Sequence, residues 1–346
     1  MKHNLSLLTG ALFIAASAGV NAQTTAVTDP VGYITINVAG TASQYTYSAI
    51  APTLVNKVEF SGVVSAISAD GRTLTVSGLT GTFTSGYWIE VTNGAGEGAW
   101  TNVTGNSPTT ITTVDSMTPF ITAGTSTVKL RQHVTIAQFF GATNTAGLQA
   151  GADPGLADEI IFLGDRGVAS QNITVFYDGT GWFDGNFGAA ENMAIEPGQG
   201  LLIGRRATTN TSFVQVGHVK TGKSMNSGLA GPVAGDFGEN VMGIRSAVGV
   251  KLKDSRLHTG VDATGVHAGD DPGLADEVIQ FVGGAPVTYF NDGTWNGTGP
   301  DTSWFDGNFA PAGETVLAEG TALYILRKNG GDFVWTSPAV SINTTP

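Results

Sequence analysis

The sequence predicts an all-β protein, with an N-terminal β-domain followed by two homologous β-units, sandwich- or barrel-like, and at most short helices. Three observations support this fold class. Glycine accounts for 49 of 346 residues, about twice its usual share, which indicates many tight turns because glycine adopts positive φ without steric cost. Short alternating apolar runs are separated by turn residues, and no amphipathic helix of ordinary length is present. Finally, one stretch of the chain closely repeats another.

The first 22 residues have the pattern of a secretory signal peptide. Lys2 and His3 precede an apolar run, and Val20-Asn21-Ala22 fits the small-x-small cleavage rule. The apolar run is shorter than the about 20 residues that a membrane-spanning helix needs. We therefore expect export to the periplasm, the outer surface or the medium, with cleavage near Ala22 and no transmembrane span.

Strand patterns follow along the mature chain. A strand is predicted at residues 31–38, where every second residue from Ile34 is apolar. Asp70-Gly71, a favoured hairpin turn, lies between two further strand patterns. Together with the strand patterns that follow, it predicts one compact β-module over residues 58–115.

One short helix interrupts this series. The segment T-I-A-Q-F-F at residues 135–140 is followed by Gly141. Thr135 is a suitable helix cap and Gly141 a suitable stop. The sequence therefore predicts a helix of little more than one turn at this point.

A duplication is the strongest internal signal. The block D-P-G-L-A-D-E-I-I at residues 153–161 recurs almost unchanged at 271–279, and W-F-D-G-N-F at 182–187 recurs identically at 304–309. Two weaker matches relate 198–206 to 320–328, and 128–131 to 250–253. The spacing differs only in Gly-, Asn- and Thr-rich stretches, which is typical of surface loops. The predicted boundaries are a signal peptide at 1–22, an N-terminal β-domain at 23–125, a first β-repeat at 126–206, a connecting β-segment at 207–247 and a second β-repeat at 248–346.

The order of these motifs also indicates a family. Asp29-Pro30-Val31-Gly32-Tyr33 precedes the module at residues 60–112, the segment 135–141 and the unit 157–206. In this order the chain resembles an uncharacterised paralogous family of secreted proteins from Verrucomicrobia-type bacteria. That family has a signal peptide, a DPVGY/F strand, a β-module and an ADEI…PGQGLLIGRR-like unit. The resemblance implies export and β-structure, but it brings no known activity and no catalytic residues.

Composition excludes several classes of function. The chain has no cysteine, which excludes disulfides, thiolate nucleophiles and Cys-ligated zinc. Its net charge of −12 argues against nucleic-acid binding, which needs clustered Lys and Arg. No nucleophile elbow and no His-Glu-x-x-His spacing is present. We therefore expect a protein that is not an enzyme.

The repeated acidic blocks are the first candidate site. Their oxygen-bearing side chains lie next to glycines, as in calcium sites. The favoured interpretation of the same residues is that they form turns, in which Asp and Asn bond to their own backbone. We expect no cofactor other than calcium, whose candidate ligands are Asp153, Asp158, Glu159, Asp184 and Asn186 in the first copy and Asp271, Asp276, Glu277, Asp306 and Asn308 in the second.

The repeated aromatic residues are the second candidate site. Trp182 and Trp304 follow loop-like residues, which predicts partial exposure, and Asp and Asn neighbours would suit the stacking and hydrogen bonding of a sugar ring. Core packing is the favoured interpretation of these aromatic residues, because each of them buries a large area. The surrounding aromatic residues are Tyr177, Phe183 and Phe187, with Phe290, Phe305 and Phe309 in the second copy.

These observations favour an exported, non-enzymatic structural or adhesive protein of the cell envelope or extracellular space. Its expected partners are polysaccharide or other envelope proteins, together with self-association through sheet edges. The alternative is a carbohydrate-binding β-module protein that uses the paired Trp, Asp and Asn loops. A glycoside hydrolase that uses two of the repeated carboxylates ranks third, because such a pair needs a fixed separation that the sequence does not reveal.

Overall fold

The computed structural model describes residues 30–41, 45–164, 167–220, 224–233, 236–295, 297 and 301–338. These residues form a nearly all-β structure of open antiparallel sheets, which confirms the predicted all-β class. Within these ranges no helix has the length and apolar character needed to cross a membrane. The predicted signal peptide lies outside the described residues.

The strands are short and are numbered in chain order. The first nine are β1 (Val31–Val38), β2 (Thr46–Ile50), β3 (Val58–Val63), β4 (Ala66–Ile67), β5 (Thr73–Thr75), β6 (Tyr87–Val91), β7 (Trp100–Ser107), β8 (Thr110–Thr113) and β9 (Thr127–Gln132). The next seven are β10 (Val134–Thr135), β11 (Glu159–Phe162), β12 (Ile173–Tyr177), β13 (Trp182–Asp184), β14 (Ala194–Ile195), β15 (Leu201–Arg205) and β16 (Thr211–His218). The last nine are β17 (Ser224–Leu229), β18 (Gly238–Gly243), β19 (Val250–Lys251), β20 (Glu277–Val282), β21 (Ala285–Asn291), β22 (Trp304–Asp306), β23 (Val316–Leu317), β24 (Ala322–Arg327) and β25 (Phe333–Pro338).

The predicted helix is present as α1 (Ile136–Phe140), and short 3-10 helices lie at Ala169–Gln171 and Leu252–Asp254. The Thr135 hydroxyl accepts from the N–H of Gln138, and Gln138 Oε1 accepts in return from the N–H of Thr135, which completes a capping box. Gly141 ends the helix with φ 87°, in the region that glycine adopts without strain. The start and stop of α1 are therefore the predicted ones.

Two five-stranded sheets share one topology. The first has the order β13-β12-β11-β15-β2, and the second has the corresponding order β22-β21-β20-β24-β18. Each is accompanied by a two-stranded ribbon, β1-β16 or β17-β25, and by a short pair, β10-β14 or β19-β23. The structural duplication therefore begins well before the repeated motifs, with β1 and β2 corresponding to β17 and β18.

A seven-stranded sheet, order β3-β9-β6-β7-β8-β5-β4, lies between β2 and β10 in the chain. In the second copy β18 is followed directly by β19, so this inserted sheet belongs to the first copy alone. It has its own buried core, which includes Leu74, Ile89, Ile111 and Leu130.

One sequence match has no structural basis. Residues 128–131 lie in β9 of the inserted sheet, whereas Val250 pairs with Leu317 just as Val134 pairs with Ile195. Alternating apolar and basic residues are a general pattern of half-buried strands. The match of 128–131 to 250–253 is therefore coincidental.

The ribbon β1-β16 covers the core of the first copy with one of its faces. Ile34, Ile36 and Val38 are buried with Phe213, and the residues between them are exposed. This confirms the strand predicted at residues 31–38.

The two five-stranded sheets contact each other through a cluster of mostly small residues, Ala49, Ala51, Leu202, Val241 and Ala322. Reciprocal backbone bonds join the copies at this contact. The N–H of Ala51 donates to the carbonyl of Gly320 at 3.1 Å, and the N–H of Gly243 donates to the carbonyl of Gly198 at 2.9 Å. Because equivalent residues exchange roles, the copies are related by approximate two-fold symmetry.

Candidate functional site

Asp158 and Asp276 are partners in buried ion pairs. Asp158 Oδ2 lies 2.7 Å from Arg205 Nη1, and Asp276 Oδ2 lies 2.5 Å from Arg327 Nε. All four side chains are buried. In each aspartate the second carboxylate oxygen accepts a bond from the backbone N–H of the residue after the arginine, at 2.6 Å. Removing one partner of such a pair would leave an uncompensated buried charge, so these carboxylates are structural groups of the fold.

The neighbouring glutamates also have cationic partners. Glu159 Oε1 lies 2.9 Å from Arg206 Nη2, and Glu277 Oε1 lies 2.5 Å from Lys328 Nζ. Glu159 also accepts a hydrogen bond from the Tyr45 hydroxyl. Burial, reinforced by this hydrogen bond, raises the pKa of Tyr45 above its usual range. Lys328 replaces Arg206 in the second copy without loss of the ion pair.

Asp184 and Asp306 form turns. Asp184 Oδ1 accepts bonds from the N–H groups of Asn186 and Gly188, both at 2.8 Å. Asp306 Oδ1 accepts the equivalent bond from Asn308 at 2.8 Å. These are local bonds of the kind that Asp makes in turns.

Asp153 and Asp271 occupy equivalent turns. The Asp153 carbonyl accepts from the N–H of Leu156 at 3.0 Å, and Asp271 Oδ1 accepts from the N–H of Gly273 at 2.7 Å. Within the described ranges, no group of three or more His, Asp or Glu side chains is arranged to hold a metal ion. The structure does not bring the ten candidate calcium ligands together in one site, and calcium binding stays a prediction.

Trp182 and Trp304 lie in the two cores, each 1% exposed. Trp182 Nε1 donates to the Gly141 carbonyl at 2.9 Å, and its ring packs against Phe140 and Tyr177. The favoured interpretation, core packing, is confirmed for both tryptophans. The expectation of partial exposure is wrong, because each tryptophan begins an edge strand and its indole points to the inner face of its sheet. Neither indole offers a free face to a sugar ring in this arrangement.

Phe187 and Phe309 are the exposed aromatic residues of the repeated turns. They are 58% and 56% exposed, and both have left-handed backbones, with φ 64° and 62°. This conformation is a genuine outlier for a bulky residue. Each ring contacts one buried phenylalanine, Phe176 or Phe290, edge-on. The sequence predicts the tryptophans to be the most exposed of the repeated aromatic residues, whereas in the structure these two phenylalanines are.

A buried polar cluster in the second copy joins residues that are far apart in sequence. Asp301 Oδ2 lies 2.8 Å from His258 Nδ1 and 3.0 Å from Asn291 Nδ2, and Asp301 Oδ1 accepts from the Ser303 hydroxyl. Burial raises the pKa of Asp301, but the bonds from His258 and Ser303 together lower it below its ordinary value. The serine donates to the aspartate and not to the histidine, so His258 is not placed to activate Ser303 as a nucleophile. The cluster satisfies buried polar groups.

His133 lies where the inserted sheet meets the first copy. Its Nε2 donates to Asn102 Oδ1 at 2.9 Å, and Asn102 Nδ2 donates to Glu196 Oε1 at 2.8 Å. Burial lowers the pKa of His133 to about 4. The imidazole is therefore neutral at pH 7. Through Asn102 of the inserted sheet it is connected to Glu196 of the first copy.

Two grooves flank the contact between the copies at symmetry-related positions. One, of about 360 Å³, is bordered by β17, β18 and residues 196–200. The other, of about 430 Å³, is bordered by β1, β2 and residues 318–321. Trp100 of the inserted sheet enters only the first groove. The two copies therefore differ beside β1 and β17, because Trp100 borders the groove at β17 and has no counterpart in the groove at β1.

The outer face of the β1-β16 ribbon is exposed and carries four apolar side chains, with polar side chains at its other positions. The apolar ones are Val31 at 66%, Tyr33 at 75%, Val214 at 54% and Val216 at 70% exposure, with Tyr33 directly opposite Val216. Neither strand contains Asp, Glu, Lys or Arg. We call these four residues the ribbon patch. The alternation of β1 exposes Val31 and Tyr33, but their pairing with β16 is a long-range contact that sequence periodicity does not reveal.

Comparison with protein-family models, with curated proteins and with solved structures finds no match to this chain. The resemblance to secreted Verrucomicrobia-type proteins therefore stays a prediction. The candidate functional features of the molecule are the ribbon patch and the exposed phenylalanines.

Proposed function

We propose that the protein is an exported structural or adhesive component of the cell envelope or extracellular space, which acts by contact and not by catalysis. The ribbon patch is the observation that carries this proposal. Contiguous exposed apolar surface on a soluble protein is typical of interaction sites. The signal-peptide pattern supports export, and an uncharged ribbon favours contact with uncharged surfaces.

The carboxylates support the same conclusion. Asp158, Asp276, Glu159 and Glu277 are engaged in ion pairs that hold loops to strands. A glycosidase pair instead needs one carboxyl that is free to donate a proton and a second facing it across the substrate. These four carboxylates therefore suit a stable scaffold better than a hydrolase.

A sedimentation assay with isolated envelopes tests the proposal. The mature protein should pellet with envelope fragments, and the double variant Tyr33→Ser/Val216→Ser should remain largely in the supernatant with an unchanged melting temperature. Val334→Ser is the matched control, because Val334 is 56% exposed on the β17-β25 ribbon. Wild-type protein that stays in the supernatant would contradict the proposal.

A second candidate function, carbohydrate binding, is favoured by the exposed Phe187 and Phe309. A strained backbone that holds an aromatic ring in solvent at both copies is a cost that a binding role would explain. Affinity electrophoresis in polysaccharide gels should then show retardation of the wild type and none of Phe187→Ala/Phe309→Ala. Equal mobility of both proteins in every polysaccharide would exclude this candidate.

A further inference from the structure

The geometry points to strand addition: the outer edge of β1 binds an extended segment of a partner polypeptide, and the adjoining groove of about 430 Å³ receives an aromatic side chain of that segment. This inference rests on the proposed contact function and names the class of partner. Three observations carry it. They are the direction of the β1 backbone groups, the covering of the equivalent edge in the second copy, and the unguarded character of β1.

The backbone direction follows from the end of the ribbon. The N–H of Val219 donates to the carbonyl of Pro30 at 2.7 Å, in register with the pairing of β1 and β16. Even-numbered residues of β1 therefore bond to β16, because hydrogen-bonded pairs alternate in antiparallel strands. The N–H and C=O groups of Tyr33, Thr35 and Asn37 point away from the ribbon, along its outer edge.

The equivalent edge of β17 is covered by the inserted sheet. The N–H of Asn226 donates to the carbonyl of Gly98 at 3.0 Å, and Trp100 Nε1 donates to the carbonyl of Asn226 at 2.9 Å. Asn226 pairs with Thr336 as Thr35 pairs with Val214. Asn226 and Thr35 are therefore counterparts, but Thr35 has no such pair of bonds within the described part of the chain.

The ends of both edges are capped alike, which strengthens the comparison. The N–H of Ala39 donates to Ser48 Oγ at 3.1 Å, and the N–H of Ala230 donates to Asn240 Oδ1 at 2.7 Å. The copies thus agree where the strands end and differ at the centre of the edge. The difference is the Gly98–Trp100 segment.

Within the described residues, the edge of β1 lacks the common sequence features that protect edge strands. Natural edge strands carry charges, prolines or bulges that prevent pairing. β1 has eight residues, no charged residue and no Pro, and its register with β16 is unbroken. Residues 35–39 all border the groove although Ile36 and Val38 are buried, so the strand presents its backbone edge there.

The covering of β17 defines the chemistry of the expected occupant. A glycine carbonyl accepts from the edge N–H, and an indole N–H two residues later donates to the edge carbonyl. A partner segment with small residues followed by Trp could repeat both bonds at Thr35, and its ring would enter the groove. Strand addition gains affinity from such main-chain bonds and specificity from side-chain pockets.

A synthetic peptide of residues 93–102 is the probe, capped at both ends and labelled with a fluorophore. Fluorescence anisotropy should show saturable binding to the mature protein, weakened at least tenfold in a peptide carrying Trp100→Ala. In the protein, Thr35→Pro removes the outward N–H, and it should weaken binding at least tenfold. Proline is tolerated at such edge positions. Thr35→Val is the matched control and should bind as the wild type does.

Hydrogen exchange keeps the test decisive if Thr35→Pro folds poorly. The peptide should slow exchange of the Thr35 amide in the wild-type protein. No binding, equal binding to Thr35→Pro, or an unchanged Thr35 amide would each overturn the inference. Because the ribbon patch is intact in Thr35→Pro, envelope retention without peptide binding would leave the proposed function standing and remove only this inference.

Discussion

Replacing Asp158 by asparagine removes a charge from a buried ion pair while keeping the shape of the side chain. Arg205 would keep its buried guanidinium 2.7 Å from a neutral group, and the N–H of Arg206 would keep a weaker acceptor. Breaking a buried pair by removing one partner costs about 3–5 kcal/mol. We expect Asp158→Asn to lower the free energy of unfolding by this amount in urea titrations followed by tryptophan fluorescence.

Glu191→Gln is the matched control, because it removes the same charge from an exposed side chain. Surface substitutions of this kind change the free energy of unfolding by less than about 0.5 kcal/mol. Equal destabilisation by both variants would refute the reasoning. So would a calcium-induced rise in the unfolding midpoint of the wild type that Asp158→Asn abolishes, because Asp158 would then be a metal ligand.

Three further predictions concern stability. Between pH 6.5 and 4 the unfolded chain binds a proton at His133 that the folded protein does not, so the free energy of unfolding decreases by about 3 kcal/mol as the pH is lowered through this window. This part of the pH dependence should be missing in His133→Gln. An unchanged profile in that variant would be inconsistent with a buried neutral imidazole. Trp182→Ala and Trp304→Ala should each cost about 3–5 kcal/mol in urea unfolding, whereas wild-type stability would show that the indoles lie outside the cores. Gly198→Ala should lower the calorimetric melting temperature more than Gly94→Ala. Both glycines have left-handed φ, but only at Gly198 would an added Cβ lie 1.9 Å from the guanidinium of Arg245. Equal losses in the two variants would argue against a crowded contact between the copies.

Local sequence signals predicted local structure well. The capping of α1 depends only on Thr135, Gln138 and Gly141, which are neighbours in the chain. Asp70-Gly71 predicted a hairpin, and β4 and β5 do pair there. However, the loop is wider than the two-residue turn that this dipeptide favours, because the N–H of Gly71 bonds to the Ser68 carbonyl.

Features that depend on long-range contacts are harder to predict from the sequence. The sequence reveals the duplication only where identical motifs survive, because β1 and β17 share a position in the fold but little sequence. Insertion of a whole sheet between β2 and β10 also separates the parts of the first copy along the chain. The sequence shows which aspartates and tryptophans are repeated. Whether a carboxylate faces an arginine or a ligand depends on strand pairing, which brings Asp158 to Arg205.

Our central claim is that two copies of one β-unit share a scaffold and that contact with partners uses the edge at which they differ. Residue-resolved amide hydrogen exchange on the free protein tests it most directly. We predict slow exchange at Asn226, whose N–H is bonded to Gly98, and fast exchange at Thr35. Equal protection of the two amides would contradict the claim, because the edge of β1 would then be covered within the protein itself.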